Sequence, residues 1–216
     1  MTGPRGDDSG AQPARDRLIA VLERARRLGH LGPGPVEAHI DHAEAYRHAL
    51  PAFKDGDRVA DLGSGAGVPA LWLALACPEA HFVLIESSLR RAAFLRSAIQ
   101  TLALTERAEV VEDRAEAYAH GPAREAFQLV TARSFAAPPV TAEIAAGLVC
   151  VGGHAVVSSS PEGESDWDRS RLGELGFGSI RTVVSADRHF IWLEKTDPCP
   201  PGFPRRAGLP ARRTLW

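Results

Sequence analysis

The chain gathers its most chemically suggestive residues in one stretch, Asp61-Leu62-Gly63-Ser64-Gly65-Ala66-Gly67. Glycines at alternate positions permit sharp turns and let the main chain approach a ligand where a Cβ would collide. RVADL (58–62) before the loop has the texture of a buried strand, and PALWLALA after it reads as a helix. A helix that opens directly from such a loop presents unpaired N–H groups to a ligand. Pro69 suits its first turn, where no N–H is needed. Glu86 adds a second element. It ends the next apolar run, FVLIE (82–86), 19 residues after Gly67. In a parallel sheet that position falls beside the first strand's loop, where a carboxylate can accept both hydroxyls of a ribose. Gly63, Gly65, Gly67 and Glu86 together predict a site for a nucleoside-containing cofactor.

Two cofactor classes use this arrangement. A dinucleotide site expects G-x-G-x-x-G/A, which Gly65 to Ala70 satisfies loosely. Asp61, two residues before the first glycine, and the G-x-G-x-G run itself are instead similar to class I S-adenosylmethionine-dependent methyltransferases. The chain also lacks a Tyr-x-x-x-Lys pair, since Leu50 stands four residues after Tyr46 and Pro122 four after Tyr118. A methyltransferase is the favoured reading and an NAD-binding oxidoreductase a distant one.

The elements that must position these residues follow from periodicity. Residues 1–14 are rich in Gly and Pro and are expected to be disordered. Residues 15–50 form a helical extension. Leu18, Leu22, Ala25 and Leu28 recur at helical spacing, LGPGP (31–35) breaks that helix, and a second runs from about Pro35 with Val36, Ile40, Ala43 and Tyr46 on one side. Residues 51–196 alternate short apolar runs with helical stretches. The strands are RVADL, FVLIE, AEVVE (108–112), FQLVTAR (127–133), GGHAVVS (152–158), GSIRTVVS (178–185) and RHFIWLEK (188–195). Strands alternating with helices predict an α/β, Rossmann-like, seven-stranded and mostly parallel sheet. The short turn between the last two strands predicts an antiparallel edge hairpin. Residues 197–216, rich in Pro and Arg, are expected to form a tail on the surface.

The formal net charge of −2 excludes a global basic field that would steer the chain to nucleic acid, so any such contact must come from local clusters. The tail supplies one in Arg205, Arg206, Arg212 and Arg213. Cys77, Cys150 and Cys199 lie far apart without a C-x-x-C, as expected of a reducing compartment. No apolar run resembles a signal peptide or a membrane span, so a cytoplasmic protein is expected. His39 and His42 share a helical face, but no further ligand has metal spacing, and no metal is expected.

From Leu28 to Trp216 the sequence resembles the RsmG (GidB) family. The resemblance is carried by LGHLGPGPVEAHIDH (28–42), VADLGSGAGVPALWLALACPEAHFVLIES (59–87), RRAAFLR (90–96), EDRAEA (112–117), TARSFA (131–136) and PRRAGLPARRTL (204–215). It implies transfer of a methyl group from S-adenosylmethionine to guanine N7 in small-subunit ribosomal RNA. It further implies that Gly63 and Val68 line the methionine and ribose portion of the cofactor, that Ala115 and Glu116 border the adenine, and that Arg133 stands near the methyl-transfer centre. Arg133 at the carboxyl end of the fourth strand agrees with where open α/β sheets bind ligands. Arg205, Arg206 and Arg213 would then contact RNA. The chain departs from the family after the fifth strand, where Ser158-Ser159-Ser160-Pro161-Glu162-Gly163 replaces a Lys-Gly pair. That departure keeps open a methyltransferase acting on a small molecule or another RNA. A non-catalytic cofactor- or RNA-binding module is the remaining alternative.

Overall fold

Alternation along the central strands sets the architecture. In the computed structural model, which describes residues 11–216, Val59, Leu129, Phe82 and Leu84 enter one apolar cluster, while Ala60, Leu62, Val83, Ile85, Val130 and Ala132 enter another. Neighbouring side chains of a strand point to opposite faces, so runs that are apolar at nearly every position require a sheet covered on both sides. The strands are β1 (Arg58–Leu62), β2 (His81–Ile85), β3 (Ala108–Val111), β4 (Phe127–Ala132), β5 (Val149–Ser159), β6 (Phe177–Ser185) and β7 (Arg188–Lys195). Their order is β3-β2-β1-β4-β5-β7-β6, and the first five are parallel. β7 inserts antiparallel between β5 and β6, joined to β6 through Ala186 and Asp187, both at positive φ. Such a two-residue turn matches the right-handed twist of its flanking strands.

Helices α1 (Ala11–Arg27), α2 (Val36–Ala49), α3 (Ala70–Ala76) and α4 (Leu89–Thr101) cover one face. The opposite face is covered by α5 (Ala115–Tyr118), α6 (Pro138–Leu148), α7 (Arg169–Glu174) and the C-terminal segment with α8 (Leu209–Arg212). α2 is tied to the sheet by the buried Tyr46 hydroxyl, which donates to the Ala132 carbonyl at 2.6 Å. It is tied to α3 by Trp72 Nε1, which donates to Glu44 at 2.7 Å.

The expected seven strands and edge hairpin are present, with local differences. α1 begins at Ala11, so residues 11–14 are helical rather than disordered; there Gln12 donates to Asp16 one turn on. Residues 1–10, the rest of that expectation, lie outside the described residues. β5 starts at Val149, earlier than GGHAVVS suggests, with an irregular register against β4 between Phe127 and Leu129. The tail is docked, not merely apposed. Arg124 donates to the carbonyls of Cys199, Pro200 and Phe203, and Trp216 Nε1 donates to the Asp166 carbonyl. Among the described residues, no helix is long and apolar enough to cross a membrane.

Two polar groups in this frame, the half-buried His42 and the buried Asp61, titrate in opposition. Burial lowers His42 from 6.5 to about 4, with the charges of Arg133, Arg188 and His39 adding to it. Burial pushes Asp61 from 3.8 up to about 6, against the hydrogen bond it accepts from Thr131 at 2.7 Å. As pH falls from 6.5 towards 4, the unfolded chain takes up a proton at His42 that the folded chain refuses, and stability is lost. Between about 6 and 3.8 the folded chain protonates Asp61 first, and stability is gained. Asp61→Asn should therefore steepen the acid-induced fall in melting temperature, and His42→Phe should flatten it. Thermal denaturation from pH 7 to pH 4 checks this; parallel curves for the three proteins would refute it.

Candidate active site

The strand register brings the site together. Leu62 pairs with Ile85 on one side and with Ala132 on the other, so Gly63, Glu86 and Arg133 are the first residues beyond one common row. Three positions far apart in sequence thus converge at the carboxyl ends of adjacent strands, where α/β sheets bind ligands.

Gly63, Gly65 and Gly67 have φ of +61°, +55° and +89°, a left-handed run that other residues adopt only at a cost of about 1 kcal/mol or more each. Their spatial roles differ. A Cβ on Gly63 would lie 2.6 Å from the Phe135 ring, whereas one on Gly67 would overlap Leu71. Gly63 therefore admits an aromatic ring at the cleft, and Gly67 lets α3 pack down onto the loop. Glu86, buried, accepts from Gly65 N at 3.0 Å and from Ser88 N at 2.8 Å. A carboxylate has about four acceptor sites, so these bonds orient Glu86 and leave lone pairs for a ligand.

Two chambers of about 210 Å³ each meet at Gly63. The first is lined by Gly63, Ser64, Gly65, Ala66, Val68 and Arg133, and is roofed by His30, Gly32, His39 and Arg91. The second is lined by Gly63, Asp113, Arg114, Ala115, Glu116 and Phe135, with Ala211 of α8 on its far wall. Gly63, Gly65, Val68 and Arg133 thus share one chamber, and Ala115 and Glu116 share the other. Gly67 and Glu86 line neither, but Glu86 is bonded to Gly65, which does. Phe135 is swung over Gly63 because Ser134, at φ +52°, turns the chain sharply after Arg133. A larger groove of about 450 Å³ lies at the amino ends of β1, β2 and β3, the end opposite to the convergent residues.

The electrostatics of the chambers differ. Among the described residues, no carboxylate lines the Arg133 chamber. Burial and the nearby charge of Arg188 lower the Arg133 pKa, yet a guanidinium remains charged in proteins. In the second chamber Glu116 is buried and accepts from Gly208 N at 2.9 Å and from Arg114. The Gly208 and Arg114 hydrogen bonds outweigh burial and hold its carboxyl below the usual range. Arg114 thereby stands in the chamber wall.

Sequence reasoning missed two parts of the site. His30, His39 and Arg91 roof the first chamber, although His39 and His42 had a signal only as metal ligands; among the described residues no group of His, Cys, Asp and Glu could hold a metal. The other part is the tail as a chamber wall. Arg205 differs from the other tail arginines: its backbone N and Nε both donate to Glu143 Oε1, at 2.7 Å and 2.8 Å, and Glu143 is fully buried in α6. Arg206, Arg212 and Arg213 are exposed.

Residues 41–171 match the family described as GidB, rRNA small subunit methyltransferase G. The chain belongs to that family. It is 36% identical to the ribosomal RNA small subunit methyltransferase G of Rubrobacter xylanophilus, in an alignment covering 92% of this chain and 80% of the relative. It is 34% identical to the protein of the same name from Desulfitobacterium hafniense, covering 77% and 73%. A solved SAM-dependent O-methyltransferase from Thermotoga maritima superposes with a TM-score of 0.55 at 15% identity, over 82% of this chain and 71% of that one. That likeness shows the Rossmann-like fold of such methyltransferases.

The family member's docked tail gives a prediction. Arg205→Met leaves the buried Glu143 charge uncompensated, which costs about 3–5 kcal/mol. Chemical denaturation should register that loss, and limited proteolysis should cut after Lys195 earlier than in the parent protein. Unchanged stability and protection would refute the docking role.

Proposed function

We propose that this protein transfers a methyl group from S-adenosylmethionine to N7 of a guanine in small-subunit ribosomal RNA. Two chambers joined at Gly63 suit an extended adenosyl donor, with its methionine end beside Gly65 and Val68 and its adenine beside Ala115 and Glu116. Glu86 would hold the ribose with the lone pairs its two backbone donors leave free.

The observation that carries the N7 assignment is that Arg133, and no carboxylate among the described residues, lines this chamber. N7 bears a lone pair, so its methylation releases no proton that a base must remove. The site needs alignment of nucleophile, methyl and sulfonium, and exclusion of water. Enzymes that methylate exocyclic amines typically carry an Asp/Asn-Pro-Pro-aromatic motif after the fourth strand; this chain has Ala132-Arg133-Ser134-Phe135. A carboxylate or carboxamide there would suit an amine substrate, and a cation does not. Arg133 can donate to guanine O6 or to a phosphate while leaving N7 free to attack. Phe135 belongs to the adenine side of the cleft, which favours a role in holding the donor over stacking on the target base. The exposed Arg206, Arg212 and Arg213 supply local positive charge for an RNA backbone.

A second reading, the same reaction on another RNA or on a small molecule, is favoured by Ser158-Ser159-Ser160 standing where relatives of this type carry Lys-Gly. Radiolabelled transfer to purified small ribosomal subunits, with mass spectrometry of the resulting nucleosides, separates the two. The proposal expects 7-methylguanosine from the parent protein. It expects a loss of about a hundredfold or more in Arg133→Ala, with the melting temperature and donor affinity retained. No transfer to subunits, or full activity in Arg133→Ala, would overturn the assignment.

A further inference from the structure

Arg133 Nη2 lies 2.6 Å from His39 Nδ1. A guanidinium has donors only, so the Nδ1 atom must be the acceptor, and the ring must be neutral with its proton on Nε2. His39 is 7% exposed; its buried Nε2 makes no hydrogen bond of good geometry among the described residues, although the Gly32 and Pro33 backbone lies close to the ring. Its helix is fixed at the end of β4 through a second bond on the same face, from Tyr46 to the carbonyl of Ala132, the residue before Arg133. α2 therefore grips consecutive residues of the strand end, one through the backbone and one through the side chain.

The chemistry of the partner matters. A buried arginine is usually satisfied by a carboxylate, which would cancel its charge. Here the acceptor is an uncharged ring, which directs one edge of the guanidinium and leaves its positive charge for an incoming oxygen.

We propose that His39 is a positioning residue for methyl transfer: its neutral ring aims Arg133 at the acceptor base and preserves the charge that Arg133 brings. This inference rests on the role assigned to Arg133 above. Protonation of His39 would set an N–H against the guanidinium and release it. Burial and the Arg133 charge both keep His39 below its ordinary pKa of 6.5, so the pair is intact at neutral pH and fails on acidification. The charged and titratable groups around the pair are His42 and Tyr46 on α2 itself, Arg188 on β7 and Asp61 on β1, with His30 and Arg91 sharing the chamber. None of the cationic ones can replace the lone pair of His39 at neutral pH.

The test compares full-length parent protein, His39→Leu and His39→Asn, using S-adenosylmethionine and small ribosomal subunits under saturating donor. Asn sets an oxygen near the place of Nδ1 and does not titrate. His39→Leu should lower kcat on the order of ten- to a hundredfold, with the donor Kd and melting temperature near those of the parent. His39→Asn should recover most of that loss. The parent's kcat should fall on the acid side of neutrality, and that limb should be missing from His39→Asn. Full kcat in His39→Leu, Asn no better than Leu, or the same acid limb in His39→Asn would each overturn the inference. If Leu prevents folding, the Asn profile decides alone. Arg133→Ala assayed in parallel tells the two failures apart: an active Arg133→Ala defeats the Arg133 assignment, whereas an inactive one beside a fully active His39→Leu defeats only the role of His39.

Discussion

The structure depends on a backbone constraint at the end of β1. The chain turns into the left-handed region three times between Leu62 and Val68, and Glu86 pins the middle of that bend by accepting from Gly65 N. The bend does two things that a loop with side chains could not do together. It lets α3 settle against the strand end at Gly67, and it leaves bare main chain at Gly63 and Gly65 facing the cleft. Because β2 holds the bend through a buried carboxylate, the loop's shape is coupled to the sheet and not left to its own flexibility. Preorganised backbone donors gain most where water is excluded.

The two ends of the chain close what the sheet opens. The N-terminal extension brings α2 across the end of β4, where Tyr46 and His39 engage successive residues and roof the Arg133 chamber. The C-terminal segment closes the other chamber. Arg124 and Glu143 hold it, and Gly208 N reaches the carboxylate of Glu116. The sheet supplies the floor and the register, while the two terminal segments supply the walls. This division places the Arg133 chamber under a helix rich in histidine and the Glu116 chamber under a segment rich in proline and arginine.

Much of this was legible in the sequence. The apolar strands, the glycine bend and Glu86 announce themselves through local rules: period-two burial, loop chemistry and the fixed neighbourhood of parallel strands. The place of Arg133 at the end of β4 was legible for the same reason. The docked tail was not, because its anchor joins Arg205 to a residue in a separate helix. The one available signal was an acidic residue, Glu143, inside the otherwise apolar PPVTAEIAAGL, and an acid in such a setting requires a partner from elsewhere. His39 was equally hidden. On a helix face shared with His42 it reads only as part of an incomplete metal set, and only the register of α2 against β4 turns it towards an arginine. The early start of α1 escaped because Pro13 and its flanking small residues read as disorder, although a proline is accommodated in a helix's first turn.

Calorimetric titration of S-adenosylmethionine into the purified chain and into Glu86→Ala is the most direct test. Saturable binding of one donor molecule per chain is expected, with an affinity about tenfold or more weaker in the variant, since a charged acceptor would be lost from the ribose. Absence of binding to the parent protein at millimolar donor, or equal affinity in the two proteins, would contradict this expectation.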